Sequence, residues 1–522
     1  MTSRALKAAL VAALVVGTHA SARQSLGAFT SSQDVGKPST IGPGAASYDA
    51  ATKVYTISGG GENVWATADH MHYVWKKMSG DAVLSATIDF VASQPDTGTP
   101  DPHRKAMLMI RQSLDSDSPY ADAAIHGDGL TSLQWRDAKG AVTHEVQSGI
   151  AGPKRVRLEK RGNYFSMSIA MAGEELHPSG GSARVDLTGE FYVGIAVSAH
   201  NVGRIEKVTF SDVDVAVPPA ITSNAKPTLI NTLETISLRS KDRRVAYVVT
   251  QPGRIEAPNW FPDTTNTLYF NTGGKMFKVQ ADLPGQKVNP DRKPPEVVDL
   301  GTLTRINNDH GLTLDGKMWA ISDQSQIVGT GTQRPSLIYT VPVGSGQAKR
   351  VTELGPSYFH GWSPDGKRLT YCAQRNNNFD VYTISADGGD ETRLTTAEGK
   401  DDGPEYSPDG QYIYFNSERS GAMQIWRMKV DGSGQEQITT DDAENWFPHI
   451  SPNGLLMAYL TYEKGVGDHP ENKDVMLKVM DLATKKVDVL AKLFGGQGTI
   501  NVNSWSPNSQ YLAFVSYQLI PQ

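Results

Sequence analysis

The sequence predicts an all-β protein in which an N-terminal β-sandwich is followed by a six-bladed β-propeller. Three observations support this prediction: 50 Gly and 29 Pro in 522 residues, short alternating apolar runs, and a motif that occurs six times after residue 258. Gly and Pro at this frequency between alternating runs indicate many short strands that are joined by tight turns.

The repeated motif joins a large apolar residue, a tight turn and a strand with alternating apolar side chains. Its copies are NWFPDTTNTLYFN from Asn259, GLTLDGKMWAIS from Gly311, GWSPDGKRLTYCA from Gly361, EYSPDGQYIYFNS from Glu405, HISPNGLLMAYLT from His449 and SWSPNSQYLAFVS from Ser504. In SPDG, Pro fixes φ, Asp hydrogen-bonds its own backbone, and Gly accepts the positive φ that follows. The turn Asp or Asn falls at 263, 315, 365, 409, 453 and 508, a spacing that fits one four-stranded unit per copy.

The ring is expected to close by strands from both ends of the propeller. The sixth unit contributes two strands before Gln522, and its outer pair is predicted from residues 235–240 (TISLRS) and 243–249 (RRVAYVV). Pairing of these early strands with the last residues would remove the free edges of the sheets. The propeller is therefore predicted over residues 229–522.

The region before the propeller lacks the repeat. Residues 24–217 contain alternating runs such as KVYTI, AVLSATIDF, KAMLMIR and FYVGIAV, separated by Gly, Asp and Asn clusters, and this pattern predicts the β-sandwich. Residues 218–228, which begin with Pro218 and Pro219, are predicted to be the linker between the two domains.

The first residues predict export. Arg4 and Lys7 precede an apolar run that ends at Val16, and Ala20-Ser21-Ala22 has the form of a cleavage site, so residues 1–22 are predicted to be a signal peptide. We expect a periplasmic or secreted protein, monomeric, with no transmembrane segment in the mature chain. The net charge of −6 and the lack of a long basic run exclude nucleic acid as an expected partner. The lone Cys372 lies in an apolar run and is expected to be buried and inert.

The repeats resemble the TolB-type WD40-like propeller repeat, whose usual form is P-x-W-S-P-D-G-k-x-L-x-F. The resemblance covers residues 230–522 and is strongest in DGGDETRLT, DGPEYSPDGQYIYFNSERSG and NWFPHISPNG. It implies a non-catalytic binding protein, associated with biopolymer transport, whose propeller recognises an envelope protein or glycan. The sandwich replaces the α/β N-terminal domain that is usual in TolB.

The order of the N-terminal runs includes ENVWATADHMHYVWKKMSGD, then MLMIRQSLDSDSPYADAAIHGDGLTSLQWR, and finally FYVGIAVSAHNVGRIEKVTFSDV. This order resembles concanavalin-like lectin and glucanase sandwiches of the jelly-roll type. The resemblance implies a sugar-binding concave face, since aromatic rings stack on sugars and Arg and His supply directional donors. The candidates on that face are Trp65, His72, Trp75, Arg111, His126 and Trp135. The alternative is that the three Trp pack in the core and Arg111 closes a surface ion pair. Catalysis is not expected here, because no strand carries the E-x-D-x-x-E pattern.

The residues just before each turn are expected to line the central channel of the propeller, with slightly earlier acidic residues at 256, 309, 401 and 402. The predicted ligand-binding residues are His310, His360, Asp401, Asp402, Glu405, Asn445, Trp446, His449, Gln497 and Asn503. Among them, Trp446 is predicted to be an aromatic anchor on the rim.

The channel histidines leave two interpretations open. His310, His360 and His449 could hold one divalent metal ion, because imidazole and carboxylate ligands suit Zn, Mn or Ni. They could instead cap backbone groups and bind water in a polar tunnel. A loose similarity to oligogalacturonate lyases implies an alternative function, a metal-dependent polysaccharide lyase or other carbohydrate-active enzyme. In that case His449 or His360 would be the base, and Arg375 or Arg419 the cation.

Overall fold

A computed structural model describes residues 25–37, 39–91, 99–220, 227–327 and 332–520. The predicted signal peptide and the middle of the predicted linker lie outside these ranges. The described residues form 39 strands and no α-helix, so the predicted all-β class is confirmed. It follows that none of the described segments is an apolar helix of membrane-spanning length.

The N-terminal domain contains the first sixteen strands. They are β1 (Ser31–Val35), β2 (Ala45–Asp49), β3 (Val54–Gly61), β4 (Val64–Trp65), β5 (Ala68–Asp69), β6 (Met71–Ser79), β7 (Ala82–Phe90), β8 (Lys105–Arg111), β9 (Tyr120–His126), β10 (Thr131–Arg136), β11 (His144–Gln147), β12 (Arg155–Arg161), β13 (Tyr164–Ala170), β14 (His177–Arg184), β15 (Glu190–Ser198) and β16 (Asn201–Ala216).

Two sheets of this domain pack face to face. One has the order β14-β13-β12-β7-β16-β3-β2, and the other begins with β1-β6-β15-β8-β9-β10-β11. On β12, Val156 and Leu158 are buried between the sheets while Arg157 and Glu159 face away, which is the alternation that a two-layer packing requires. Two packed sheets are therefore present, whereas the concanavalin-like, jelly-roll identity of the domain stays a prediction.

Five antiparallel four-stranded sheets follow as the blades of the propeller, and within each blade the strands pair in chain order. Their strands are β19 (Glu256–Trp260), β20 (Thr267–Thr272), β21 (Lys275–Gln280) and β22 (Glu296–Val297); β23 (Ile306–Leu312), β24 (Met318–Asp323), β25 (Leu337–Pro342) and β26 (Lys349–Arg350); β27 (Ser357–Trp362), β28 (Arg368–Arg375), β29 (Asn378–Ser385) and β30 (Thr392–Arg393); β31 (Asp401–Tyr406), β32 (Tyr412–Ser417), β33 (Gln424–Lys429) and β34 (Glu436–Gln437); and β35 (Glu444–Ile450), β36 (Leu456–Tyr462), β37 (Glu471–Asp481) and β38 (Val487–Gly496).

The repeated motif forms the hairpin between the first two strands of a blade, as its residues predict. In the third copy, Ser363 Oγ donates to Asp365 Oδ1 at 2.6 Å and accepts a hydrogen bond from the backbone N–H of Arg368 at 2.8 Å. Gly366 takes φ of 69°, a conformation that costs glycine nothing. After the turn, β28 is buried along most of its length and contains Cys372, which is 1 % exposed, as predicted.

The predicted count of six separate blades is not confirmed. The sixth unit contributes β39 (Tyr511–Ile520), which pairs antiparallel with β17 (Thr228–Ser237), and β17 pairs in turn with β18 (Arg243–Thr250). The two ends of the propeller thus pair as expected. However, β18 continues by parallel pairing with β11, so these strands belong to one ten-stranded sheet that extends into the N-terminal domain.

A buried ion pair fixes this shared sheet. Glu234 on β17 and Arg243 on β18 are 0 % and 1 % exposed, and Arg243 donates to the Glu234 carboxylate at 2.7 and 2.9 Å. Arg243 also donates to the Ser182 carbonyl of β14 at 2.7 Å, and Ser516 of β39 hydrogen-bonds to the same carboxylate. Four strands from both domains therefore meet at one pair of charges.

We expect Glu234→Ala to lower the free energy of unfolding by about 3–5 kcal/mol, because it leaves the Arg243 guanidinium buried without a counter-charge. Urea denaturation of the full chain measures this loss. The control is Glu190→Ala, which removes an exposed pair with Lys77 and should cost less than about 1 kcal/mol. Equal losses in the two variants would contradict the structural role of the buried pair.

Candidate functional site

The first strand of each blade carries an irregularity next to the central channel. The pairing register shifts between residues 256 and 259 in β19, and corresponding shifts occur in β23, β27, β31 and β35. Ala257, Gly403 and Phe447 adopt positive φ at these points. Because a bulge redirects the side chains that follow it, both faces of these strands send polar groups towards the channel.

Two of the predicted histidines are fixed by contacts between blades. His310 is 0 % exposed, with Nδ1 2.7 Å from Asn259 Oδ1 and Nε2 3.2 Å from Asn271 Oδ1. His449 has Nδ1 2.7 Å from Glu405 Oε2 and Nε2 2.6 Å from the Ile500 carbonyl oxygen. Both ring nitrogens of each histidine are therefore occupied by neighbouring residues of the chain.

Glu405 connects the fourth blade, the fifth blade and the last repeat. Besides its contact with His449, it accepts hydrogen bonds through Oε1 from the Ile450 backbone N–H at 3.0 Å and from Asn503 Nδ2 at 2.7 Å. Asn503 in turn accepts a hydrogen bond at its carbonyl from Asn259 Nδ2 of the first blade. These contacts join the fourth and fifth blades to the last repeat and the first blade.

A cavity of 310 Å³ opens on the side of the channel where the SPDG turns lie, and we call it the turn-side cavity. Each of the six repeats contributes its motif apolar residue to the lining. These residues are Trp260, Leu312, Trp362, Tyr406, Ile450 and Trp505. The first turn position of every repeat also lines it: Pro262, Leu314, Pro364, Pro408, Pro452 and Pro507. His310, His360, Glu405 and Asn503 form its polar floor.

A second cavity, of 390 Å³, lies on the other side of the channel residues, and we call it the loop-side cavity. Its lining is more polar than that of the turn-side cavity. It includes Glu256, Asn308, Asp309, Tyr358, His360, Phe379, Lys400, Asp402, Phe447, Asp468, His469, Gln497 and Asn501. Of the described residues that line these two cavities, His360 is common to both, so its ring separates them.

His360 differs from the other channel histidines in its partners. Its Nε2 is 3.2 Å from Asp402 Oδ1, and its ring stacks on Phe447 with the centroids 6.4 Å apart. Burial alone would lower the pKa of His360, but the hydrogen bond with Asp402 and the nearby charge of Asp309 raise it above its ordinary value. By contrast, burial without a charged partner lowers the pKa of His310 to about 3.

The carboxylates beside His360 are shifted in opposite directions. Asp402 is buried, yet its hydrogen bond with His360 and the charge of Lys400 hold its pKa well below the ordinary value. Asp309 is also buried, and its attraction to His360 is too weak to offset burial and the repulsion by Asp402 and Glu256. These effects raise the pKa of Asp309 to about 7.

Four of the predicted binding residues do not line either cavity: Asp401, Asn445, Trp446 and His449. Asp401 is 1 % exposed and accepts a hydrogen bond from Arg419 at 2.8 Å. Asn445 is 0 % exposed and bonds to Gln424 and Asp441 inside the fourth and fifth blades. Trp446 is 0 % exposed within an apolar core, so the prediction that it is an anchor on the rim is wrong. Its ring packs edge-on against His469, with the ring centroids 4.6 Å apart.

The histidines do not fit a shared metal ion. His310 and His449 have no ring nitrogen free for a ligand bond, and His360 pairs with Asp402. Within the ranges that the structure describes, no three or more His, Cys, Asp or Glu side chains are arranged to hold a metal. The geometry therefore favours the second interpretation, in which the histidines bond to groups of the channel wall.

Sequence reasoning missed three polar residues of the loop-side cavity: Lys400, Asp468 and His469. His469 is 3.8 Å from Asp402 and also contacts Gln497. Lys400 Nζ is 2.8 Å from Asp468 Oδ1. Asp468 and His469 lie in the connection between β36 and β37, outside the repeated motif, so no position of the repeat pointed to them.

In the N-terminal domain, the structure brings together two of the six predicted sugar-contacting residues. Trp65 and His126 line a cavity of 600 Å³ with Lys105, whose ammonium lies 5.3 Å from the Trp65 ring centroid. The wall of this cavity is completed by residues 285–288 from the first blade.

The other four predicted residues have structural contacts. His72 is 2.8 Å from Asp34, and Trp75 packs edge-on against Tyr192. Trp135 packs against the core of the two-sheet domain. Arg111 is paired with an aspartate, as the alternative interpretation expected, but the pair is fully buried rather than on the surface.

Comparisons with known proteins agree on the C-terminal domain. The family model described as the TolB β-propeller domain matches residues 322–519. The uncharacterized protein Atu1656 of Agrobacterium fabrum is 44% identical over 287 residues, which are 55% of this chain and 92% of that protein. A solved structure from Agrobacterium tumefaciens, provisionally named TolB, is 43% identical with a TM-score of 0.50, and the match covers 56% of this chain and 99% of that one. TolB from Acinetobacter baumannii is 17% identical with a TM-score of 0.35, over 61% of this chain and 69% of that one.

We expect Asp309→Asn to stabilise the protein at high pH. The pKa of Asp309 is higher in the folded than in the unfolded chain, so its contribution to stability is present below pH of about 4 and is lost as the pH rises through about 7. Relative to the unmodified protein, Asp309→Asn should therefore have a higher free energy of unfolding at pH 8. This gain should be larger at pH 8 than at pH 4, by on the order of 3 kcal/mol. The titratable groups that interact with Asp309 are His360, Asp402, Glu256, Tyr358 and Cys372, and all five remain in the variant.

Urea denaturation at both pH values measures this difference. Asp387→Asn is the control, because Asp387 is 92% exposed and lies outside the channel. The same pH dependence in Asp309→Asn as in the unmodified protein would contradict the assignment of this titration to Asp309.

Proposed function

Since the chain belongs to the family of TolB β-propeller proteins, we propose that it is an exported, non-catalytic binding protein whose propeller recognises an envelope protein. The signal-peptide pattern of residues 1–22 supports export to the periplasm or the exterior. An envelope glycan is the other ligand class that the test below distinguishes.

The lining of the turn-side cavity carries this proposal. Three Trp, one Tyr and five Pro surround a cavity of 310 Å³, and Trp362 among them is only half-buried. Aromatic side chains in a preformed depression are the groups that contribute most to protein–protein affinity. A partner that inserts an apolar side chain here would bury it against all six repeats, above a floor of directional hydrogen-bonding groups.

The repeated pattern of this lining also supports a ring of six units, in which the last repeat takes the position of a sixth blade. The last repeat contributes Trp505 and Pro507 at positions equivalent to those from the five separate blades. Trp505 donates through Nε1 to the His449 carbonyl at 2.9 Å, as Trp362 donates to the Gly311 carbonyl of the preceding blade at 3.1 Å. In our proposal, β39, β17 and β18 therefore occupy the position of the sixth blade, although they belong to a sheet that extends into the N-terminal domain.

The other function that the sequence left open, a metal-dependent polysaccharide lyase, has less support. Its three histidines do not fit a metal ion. The candidate cations also have other partners, since Arg375 is paired with Glu391 and Arg419 with Asp401. The observation that favours chemistry in the channel is the presence of Asp309 and His360 in the lining of one cavity, and these two groups are equally compatible with binding.

We expect Trp362→Ala to weaken capture of the partner by about tenfold or more, because it removes a half-buried aromatic group from the wall of the turn-side cavity. The full chain is used to capture proteins from an envelope extract, the captured protein is purified, and the dissociation constant of each variant is measured by calorimetry. The control is Trp426→Ala, because Trp426 is half-buried on β33 and does not line the cavity.

Three outcomes of this experiment would contradict the proposal. One is equal affinity of the Trp362→Ala and Trp426→Ala variants for the partner. Another is capture of glycans but no protein. The third is the release of unsaturated products from uronate polymers, which would support the lyase.

A further inference from the structure

We propose that the loop-side cavity binds a primary ammonium group carried on a short apolar stem. This inference concerns a different cavity from the one in which the protein partner is proposed to dock, and it does not depend on that proposal. The volume of 390 Å³ lies within the range of small-ligand sites.

The negative charge of this cavity exceeds its positive charge. Glu256, Asp309, Asp402 and Asp468 line it, and Lys400 is the one Lys or Arg side chain among the described residues of the lining. Asp402 pairs with His360, and Asp468 pairs with Lys400. Among the described residues, no cationic side chain lies within 4 Å of the carboxylate of Asp309 or Glu256.

Asp309 is the buried carboxylate of this cavity that has no ionic partner among the described residues. It is only 6% exposed, and it lies on β23 next to Glu256 of the neighbouring blade. A buried carboxylate without a counter-ion is destabilising, so a cation that enters the cavity gains more interaction energy here than at an exposed carboxylate. Glu256 is held by hydrogen bonds from the amides of Asn271 and Asn308, both at 3.3 Å, which aim its oxygens without neutralising them.

The aromatic walls favour an organic cation. Tyr358, Phe379 and Phe447 line the cavity beside the carboxylates. The chain already holds one ammonium in this way: Lys400 Nζ lies 5.5 Å from the Phe379 ring centroid, 5.6 Å from that of Trp446, and 2.8 Å from Asp468. Since a carboxylate together with aromatic faces is an arrangement that stabilises alkylammonium groups, the same wall would stabilise a second one next to Asp309.

A metal ion suits the cavity less well. A divalent cation needs several oxygen or nitrogen ligands converging at short distance, and the described residues contain no such group of His, Cys, Asp and Glu. The ring of Phe447, stacked on His360, instead provides apolar surface against which a methylene stem can pack.

Calorimetric titration of the full chain with n-pentylamine at pH 8 tests the inference, with n-pentanol as the uncharged analogue. At this pH Asp309 and the ligand both carry their charges. We expect n-pentylamine to bind and n-pentanol not to bind. Asp309→Asn should weaken n-pentylamine binding about tenfold or more, whereas Asp387→Asn, at an exposed position outside the cavity, should leave it unchanged. Unfolding curves of both variants check that each is folded.

Other results would overturn the inference. It fails if n-pentylamine does not bind, or if n-pentanol binds equally well. It also fails if Asp309→Asn and Asp387→Asn have the same effect, or if calcium binds and n-pentylamine does not displace it. None of these results depends on Trp362 or on the capture of an envelope protein.

Discussion

The pairing of β17 with β39 is the constraint on which the rest of the structure depends. It runs from the pair Thr228–Ile520 to the pair Ser237–Tyr511 and joins the two ends of the propeller. A ring that is open here would separate the first blade from the last repeat. It would also break the contacts across the closure, in which Tyr517 donates to the Ile255 carbonyl at 2.8 Å and the Ala257 N–H donates to the Gly498 carbonyl at 2.8 Å. Both channel cavities depend on that closure, because each is lined from both sides of it.

The sheet that closes the ring also attaches the N-terminal domain. An exposed outer strand in a blade presents unpaired backbone groups, and β18 instead pairs with β11 of that domain. The buried Glu234–Arg243 pair lies in this sheet, and its contact with Ser182 reaches the second sheet of the sandwich. The two domains are thus connected by backbone pairing and by the hydrogen bond from Arg243 to Ser182, and the cavity around Lys105 lies at their junction.

The architecture could be predicted because the turn and strand residues of the motif repeat along the sequence. The site could be predicted only in part, because some of its residues lie at bulges or outside the motif. The SPDG turns, the pairing of the chain ends and the burial of Cys372 follow from residue type and alternation. The count of separate blades did not, because nothing in RRVAYVV indicates that β18 has a second neighbour. The burial of Trp446 depends on the bulge in β35, which no turn residue marks. His469 joins the channel through a connection that lies outside the motif, so alignment of the repeats could not include it.

His360 divides the channel into two chemically different cavities. The apolar turn-side cavity suits a side chain of a protein partner, and the acidic loop-side cavity suits a cation, so both proposals require a closed ring around this residue. Hydrogen exchange of the backbone amides tests that closure most directly. If β39 is paired on one side with β17 within a closed ring, its amides between Leu512 and Tyr517 exchange as slowly as those of β36 in the fifth blade. Exchange as fast as in the short, exposed outer strand β22 would contradict closure, and with it the account of both cavities.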